Sequence, residues 1–153
     1  IFLHNKNLMR IHELGHIVFY VSNLERSADF YKNVLGFKEI RRDLHTALFS
    51  TGRTHHELLL LEVGGATPKK DHPVAGLYHV GFKIGNTDDE LRSAMQDLIS
   101  HGITILGTAD HHVTHSIYIM DPDNNELELY IDVDDSWKEN PEKILNPTKR
   151  LVL

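Results

Sequence analysis

A chain of 153 residues with 41% hydrophobic content has the size and composition of one domain with a real core, and its net charge of −6 offers no basic field to gather nucleic acid or anionic lipid. No apolar run approaches the roughly 18 to 20 residues of a membrane span, and "IFLHNKNLMR" lacks the charged-then-apolar order of a signal peptide, so a cytoplasmic protein without a membrane partner is expected. The absence of cysteine excludes disulfides, thiolate metal sites and a cysteine nucleophile, whereas twelve histidines make imidazole the available metal ligand and proton carrier.

In chain order, "HIVFYVSNLERSADFYKNVLGF" (residues 16–37) opens with a histidine and a short alternating strand, then enters a helix through a capping box of Ser22 and Glu25. Leu24, Ala28, Tyr31 and Leu35 form the helical stripe, and Gly36 stands where a left-handed C-cap is wanted. Three short strands follow, in "FKEIRRD", "HTALFST" and "HELLLLEV". The Gly- and Pro-rich "GGATPKKDHPVAG" (residues 64–76) reads as a linker. The pattern then repeats. His79 opens a strand, Thr87 and Glu90 form a second capping box, Leu91, Met95 and Leu98 a second stripe, and Gly102 a second C-cap. "ITILGTA", "HSIYIMD" and "ELELYID" supply the closing strands, with the turn "DPDNN" before the last.

The duplicated β-α-β-β-β order predicts an α+β fold: two βαβββ modules forming one curved mixed sheet around a cavity, with helices outside. The expected boundaries are residues 11–63 and 78–132 for the modules, 64–77 for the linker and 133–153 for a C-terminal tail, together one compact domain. The tail, with Trp137, is expected to pack against the domain or a partner subunit and is assigned no chemistry.

Strand parity sorts the inward side chains. Ile17, Phe19 and Val21 belong under the first helix, Val80, Phe82 and Ile84 under the second, and Leu127, Leu129 and Ile131 share their side. His16, His79 and Glu128 therefore point away from the helices, as do Tyr118 and the mostly apolar Val18, Tyr20, Leu59, Leu61 and Met120. Two imidazoles and one carboxylate with open positions form the ligand set of non-haem iron(II), and a carboxylate buried there needs a metal, a proton or a partner.

The segments "LGHIVFYVSNLERSADFYKNVLGF", "GLYHVGFKI" and "SIYIMDPDNNELELY" resemble, in order and spacing over roughly residues 11 to 132, the vicinal oxygen chelate superfamily, also called the glyoxalase, bleomycin-resistance and extradiol dioxygenase superfamily. Asn124 replaces the usual glycine of the turn, a mild departure because Asn tolerates a left-handed backbone. The resemblance implies metal ligands at His16, His79 and Glu128, with iron(II) as the ion and manganese(II) as the other choice, and it implies a homodimer. The fourth ligand of glyoxalases and epimerases falls on Leu59, while Glu57 and Glu62 are out of register. Extradiol dioxygenases and fosfomycin-modifying thiol transferases remain as branches with two histidines and one glutamate.

Similarity to the small catechol 2,3-dioxygenase-like members implies three further residues. His56 would be the pocket acid/base, although parity points His55 inward instead. His111 would orient substrate, and Tyr118 would contact its oxygen. The implied function is extradiol ring cleavage of a catechol-like aromatic with O₂. The alternatives are a glyoxalase, epimerase or thiol transferase, or a non-catalytic small-molecule binding protein of the same fold.

Overall fold

The computed structural model describes residue 9, residues 11–66, residue 73 and residues 75–153. Much of the expected linker, and both His4 and His72, lie outside the described residues. The first module runs β1 (Ile17–Val21), α1 (Leu24–Asp29), a wide π-helical turn (Phe30–Val34), β2 (Lys38–Arg42), β3 (Thr46–Ser50) and β4 (Leu58–Glu62). The second runs β5 (His79–Gly85), α2 (Asp88–Ser100), β6 (Gly107–Asp110), β7 (Thr114–Met120) and β8 (Glu126–Asp132). The α+β arrangement of two βαβββ modules is thus as expected. Each module carries its own four-stranded mixed sheet, ordered β1-β4-β3-β2 and β5-β8-β7-β6. In each, the first and last strands pair in parallel and the remaining pairs are antiparallel.

The alternation read from the sequence sets which face is buried. Phe19, Val21, Val80, Leu127, Leu129 and Ile131 are buried with the helices, whereas Val18 and Tyr20 are exposed on the opposite face. Leu24, Ala28, Tyr31, Leu91 and Leu98 complete one hydrophobic cluster shared by both modules. Phe37 meets Phe82 edge to face across the module boundary, with ring centroids 5.3 Å apart.

The two helix starts differ, for an electrostatic reason. Thr87 and Glu90 form the expected capping box. Ser22 and Glu25 do not: the Ser22 hydroxyl donates to the buried Asp123 at 2.5 Å. Asn23 takes over as N-cap, accepting from the Arg26 N–H at 2.8 Å, and Glu62 of β4 accepts from the Leu24 N–H at 2.7 Å. A charged acceptor already ordered in the core outcompetes a local box for the serine. The chain then widens into the π turn and stops at Gly36, whose φ of 73° is the left-handed cap expected there. Asn124, at φ 60°, shows that the asparagine of the second module's turn does the work of the usual glycine.

That turn also joins the modules. Asp121 is 3% exposed and accepts from the backbone N–H groups of Asp123 and Asn125, from the Asn125 amide, and from the hydroxyl of Tyr31 at 2.8 Å. Asp123 accepts from the hydroxyl of Ser27 at 2.9 Å and pairs with Arg26. Burial, and then the charge of Asp121, push the Tyr31 phenol well above its ordinary pKa, so it stays a donor. The C-terminal tail packs along β6, the outer strand of the second sheet. Lys149 exchanges both backbone hydrogen bonds with Asp110 at 2.9 Å, the Thr108 hydroxyl donates to Leu151 C=O at 2.7 Å, and Leu151 and Leu153 rest on the core. The open edge of β6 is thereby covered.

Candidate metal centre

The parallel pairing of β5 with β8 places Gly81 opposite Glu128 and leaves His79 two residues ahead on the same face. The parallel pairing of β1 with β4 places Val18 opposite Leu59, again two residues after the histidine. Leu59 is therefore the registered counterpart of Glu128, as the sequence alignment of the two copies implies. A carboxylate is missing where the second copy has one. Glu57 and Glu62 do not replace it. The former accepts the backbone N–H groups of Thr51 and Thr54 at 2.8 Å, and the latter caps α1.

On the second sheet four predicted residues come together. Glu128 Oε2 lies 3.1 Å from His79 Nε2. Its other oxygen accepts from Ser116 Oγ at 2.6 Å and from Tyr118 Oη at 3.1 Å. Tyr118 Oη in turn lies 2.8 Å from His111 Nε2. Burial and then the neighbouring Glu128 charge raise the Tyr118 pKa far above the usual phenol value, which keeps the hydroxyl protonated and donating to the carboxylate. The Ser116 bond to Glu128 follows from two adjacent strands in register, Tyr118 lying opposite Glu128 and Ser116 opposite Tyr130.

His79 shows what this half of the centre lacks. Its Nδ1 is buried without a hydrogen-bond partner among the described residues, and the nearest carboxylate, Glu126, stands 3.9 Å away. His79 Nε2 and Glu128 Oε2, 3.1 Å apart, are spaced as neighbouring ligands of one ion at about 2.1 Å from each. An imidazole nitrogen and a carboxylate oxygen in that spacing fit a divalent metal held by His79 Nε2 and Glu128 Oε2, with Nδ1, on the other side of the ring, outside that pair.

His16 stands with the first module's other candidates. Its ring lies 4.5 Å from that of His56 and 6.2 Å from that of His55, centroid to centroid. The two neighbours touch through their Nδ1 atoms at 2.5 Å. Of the two, His56 is half-buried and nearer His16, and His55 is exposed. Burial first, and then the adjacent His55 and His16, draw the His56 pKa below its ordinary value and favour a neutral ring. Among the described residues, no group of three or more His, Asp or Glu side chains is placed to hold a metal within the single chain. The structure thus assembles His79, Glu128, Tyr118 and His111 in one cluster and His16, His55 and His56 in another.

Two cavities flank these clusters. One of about 520 Å³ lies between the modules, with His16 at its rim and Leu35, Phe37, Val80, Phe82 and Leu98 among its walls. The other, of about 350 Å³, runs along β8 past Glu128 and Tyr130 to Trp137 and Ile144 of the tail. No helix among the described residues is long and apolar enough to cross a membrane.

Residues 13–129 match the family described as Glyoxalase/Bleomycin resistance protein/Dioxygenase superfamily. Catechol-2,3-dioxygenase of Bacillus subtilis (strain 168) is 36% identical over 125 residues, which are 80% of this chain but 43% of that enzyme, so the chain spans less than half of this relative. Metallothiol transferase FosB of Lysinibacillus sphaericus is 31% identical over 124 residues, 80% of this chain and 84% of that protein. Among solved structures, a glyoxalase/dioxygenase from Nostoc punctiforme superposes with a TM-score of 0.66 at 21% identity, covering 86% of this chain and 97% of the other.

Proposed function

Since the chain belongs to the Glyoxalase/Bleomycin resistance protein/Dioxygenase superfamily, we propose that it is a metal-dependent extradiol dioxygenase, opening the ring of a catechol-like aromatic with O₂. The observation that carries this reading is the row His79, Glu128, Tyr118 and His111 at the second sheet, a candidate metal-ligand pair backed by two further hydrogen-bonding groups. The absence of a carboxylate at Leu59 argues against the four-ligand isomerase arrangement. The similarity to a catechol dioxygenase supports the substrate class.

His79 and Glu128 of one copy would hold the ion together with His16 from the first module of a second copy, so the working unit is a homodimer. The division of the candidate ligands between two clusters supports this arrangement. Iron(II) is the ion proposed, with manganese(II) as the alternative; when bound it supplies Lewis acidity and redox capacity toward a vicinal diol and dioxygen. The chain's own groups do the rest. His56, neutral near physiological pH, takes the proton of a substrate hydroxyl. Tyr118, whose hydroxyl proton is held by Glu128, would present its oxygen to a substrate hydroxyl, and His111 fixes the direction of that group. Val18, Leu59, Leu61 and Met120 supply an apolar surface for a flat ring and keep water from it.

An oxygen electrode decides the matter: protein loaded anaerobically with iron(II) should consume O₂ with a panel of catechols and give a yellow ring-opened product. A thiol transferase is the second reading, favoured by the match to most of the length of FosB. It would consume a thiol and an electrophile without oxygen uptake.

A further inference from the structure

The C-terminal tail reaches the candidate centre, and this inference rests on the reading above that His111 and Tyr118 serve the substrate. Thr148 Oγ1 lies 3.0 Å from His111 Nδ1. Its neighbour Pro147 presents a carbonyl 2.9 Å from His112 Nε2, and Lys149 is tied to Asp110 by a reciprocal backbone pair. The tail therefore holds three successive residues, Asp110, His111 and His112. They need holding: His112 sits at φ 68°, a left-handed conformation unusual for a residue other than glycine.

The hydrogen-bond roles along this line follow from elimination. The Tyr118 hydroxyl donates to Glu128 Oε1 at 3.1 Å and so spends its one proton there. Tyr118 Oη must then accept from His111 Nε2–H. With the ring proton on Nε2, the acceptor of His111 is Nδ1, and the group facing that atom is the Thr148 hydroxyl, which can donate. Three donors point one way, from the tail to the carboxylate.

We propose that Thr148 is a positioning residue: by donating to His111 Nδ1 it keeps the proton of that ring on Nε2 and the ring aimed at Tyr118, so that the tail takes part in organising the centre. Thr148 is exposed, so the bond is worth a modest net amount. Thr148→Val should lower kcat toward a catechol by about threefold to fivefold with KM nearly unchanged, while Thr148→Ser should behave as the parent. Should the valine variant fail to fold, Thr148→Ala set against Thr148→Ser makes the same comparison.

The second readout needs no turnover. In metal-free protein labelled with ¹⁵N-histidine, long-range ¹⁵N–¹H correlations should show His111, assigned by its loss in His111→Gln, as a single Nε2–H tautomer. Thr148→Val should show a mixture of tautomers and Thr148→Ser the single form. An unchanged tautomer in Thr148→Val overturns the proposal, whether or not the protein acts on any catechol. A changed tautomer with unchanged kcat overturns the positioning role. Inertness toward every catechol refutes the dioxygenase reading alone, since the tautomer measurement still decides what Thr148 does.

Discussion

Co-refolding of two crippled chains tests how the centre is divided. His16→Ala removes the ligand carried by the first module, and Glu128→Gln removes one carried by the second; each homodimer then has two incomplete sites. If the site joins the first module of one copy to the second module of its twofold-related partner, a mixed dimer contains one intact site and one that lacks both ligands. Random pairing of equal amounts makes about half of the dimers mixed, each with one good site of two, so about a quarter of the wild-type site number returns. The assay is tight-binding metal per dimer by equilibrium dialysis after joint refolding, with each variant refolded alone as the baseline. His16 and Glu128 lie in separate clusters with no three-ligand group among the described residues of one chain, and this makes recovery the expected result. Metal content fixed at the single-variant baseline, in a sample shown by differential tagging to contain mixed dimers, would refute the divided site.

Tyr31→Phe removes a fully buried hydroxyl from Asp121, which keeps three other donors; the loss should be near the lower end of a charge-assisted bond, about 1.5 kcal/mol, read as a lower urea midpoint at constant slope. Glu62→Gln should flatten the acid limb of stability. The Leu24 N–H holds the Glu62 carboxyl below its ordinary pKa, so its contribution is present above the unfolded value near 4.5 and is lost as pH falls through the folded one; melting temperatures of the two proteins should therefore converge on acidification. Tyr118→Phe should keep metal binding, because His79 and Glu128 Oε2 are untouched, yet lower kcat roughly tenfold, since Glu128 loses a donor and His111 Nε2–H its acceptor.

The duplicated architecture was legible because each of its signals is local. Alternation in "HIVFYV" and "HVGFKI" decides which side chains lie under a helix, Gly36, Gly102 and Asn124 sit where a left-handed backbone is needed, and Thr87 with Glu90 caps α2 within four residues of chain. The same parity put His79, Glu128 and Tyr118 on one face, and the paired registers bear out Leu59 as the counterpart of Glu128. Ser22 shows where local reasoning stops: a capping box was in reach, but a carboxylate 101 residues away in sequence holds the hydroxyl instead.

What the sequence by itself determined is the set of short-range preferences: two modules, their buried faces, and the residue types that make a two-histidine, one-carboxylate centre conceivable. Tertiary structure decided which of those residues meet. The fastening of α1 to Asp123 and of the π turn to Asp121, the separation of His16 from His79 and Glu128, and the approach of Thr148 to His111 all depend on parts of the chain far apart in sequence. Periodicity carries no record of such meetings, because they depend on how whole modules and a tail pack, and packing is settled by the summed burial of many side chains rather than by the spacing of any few.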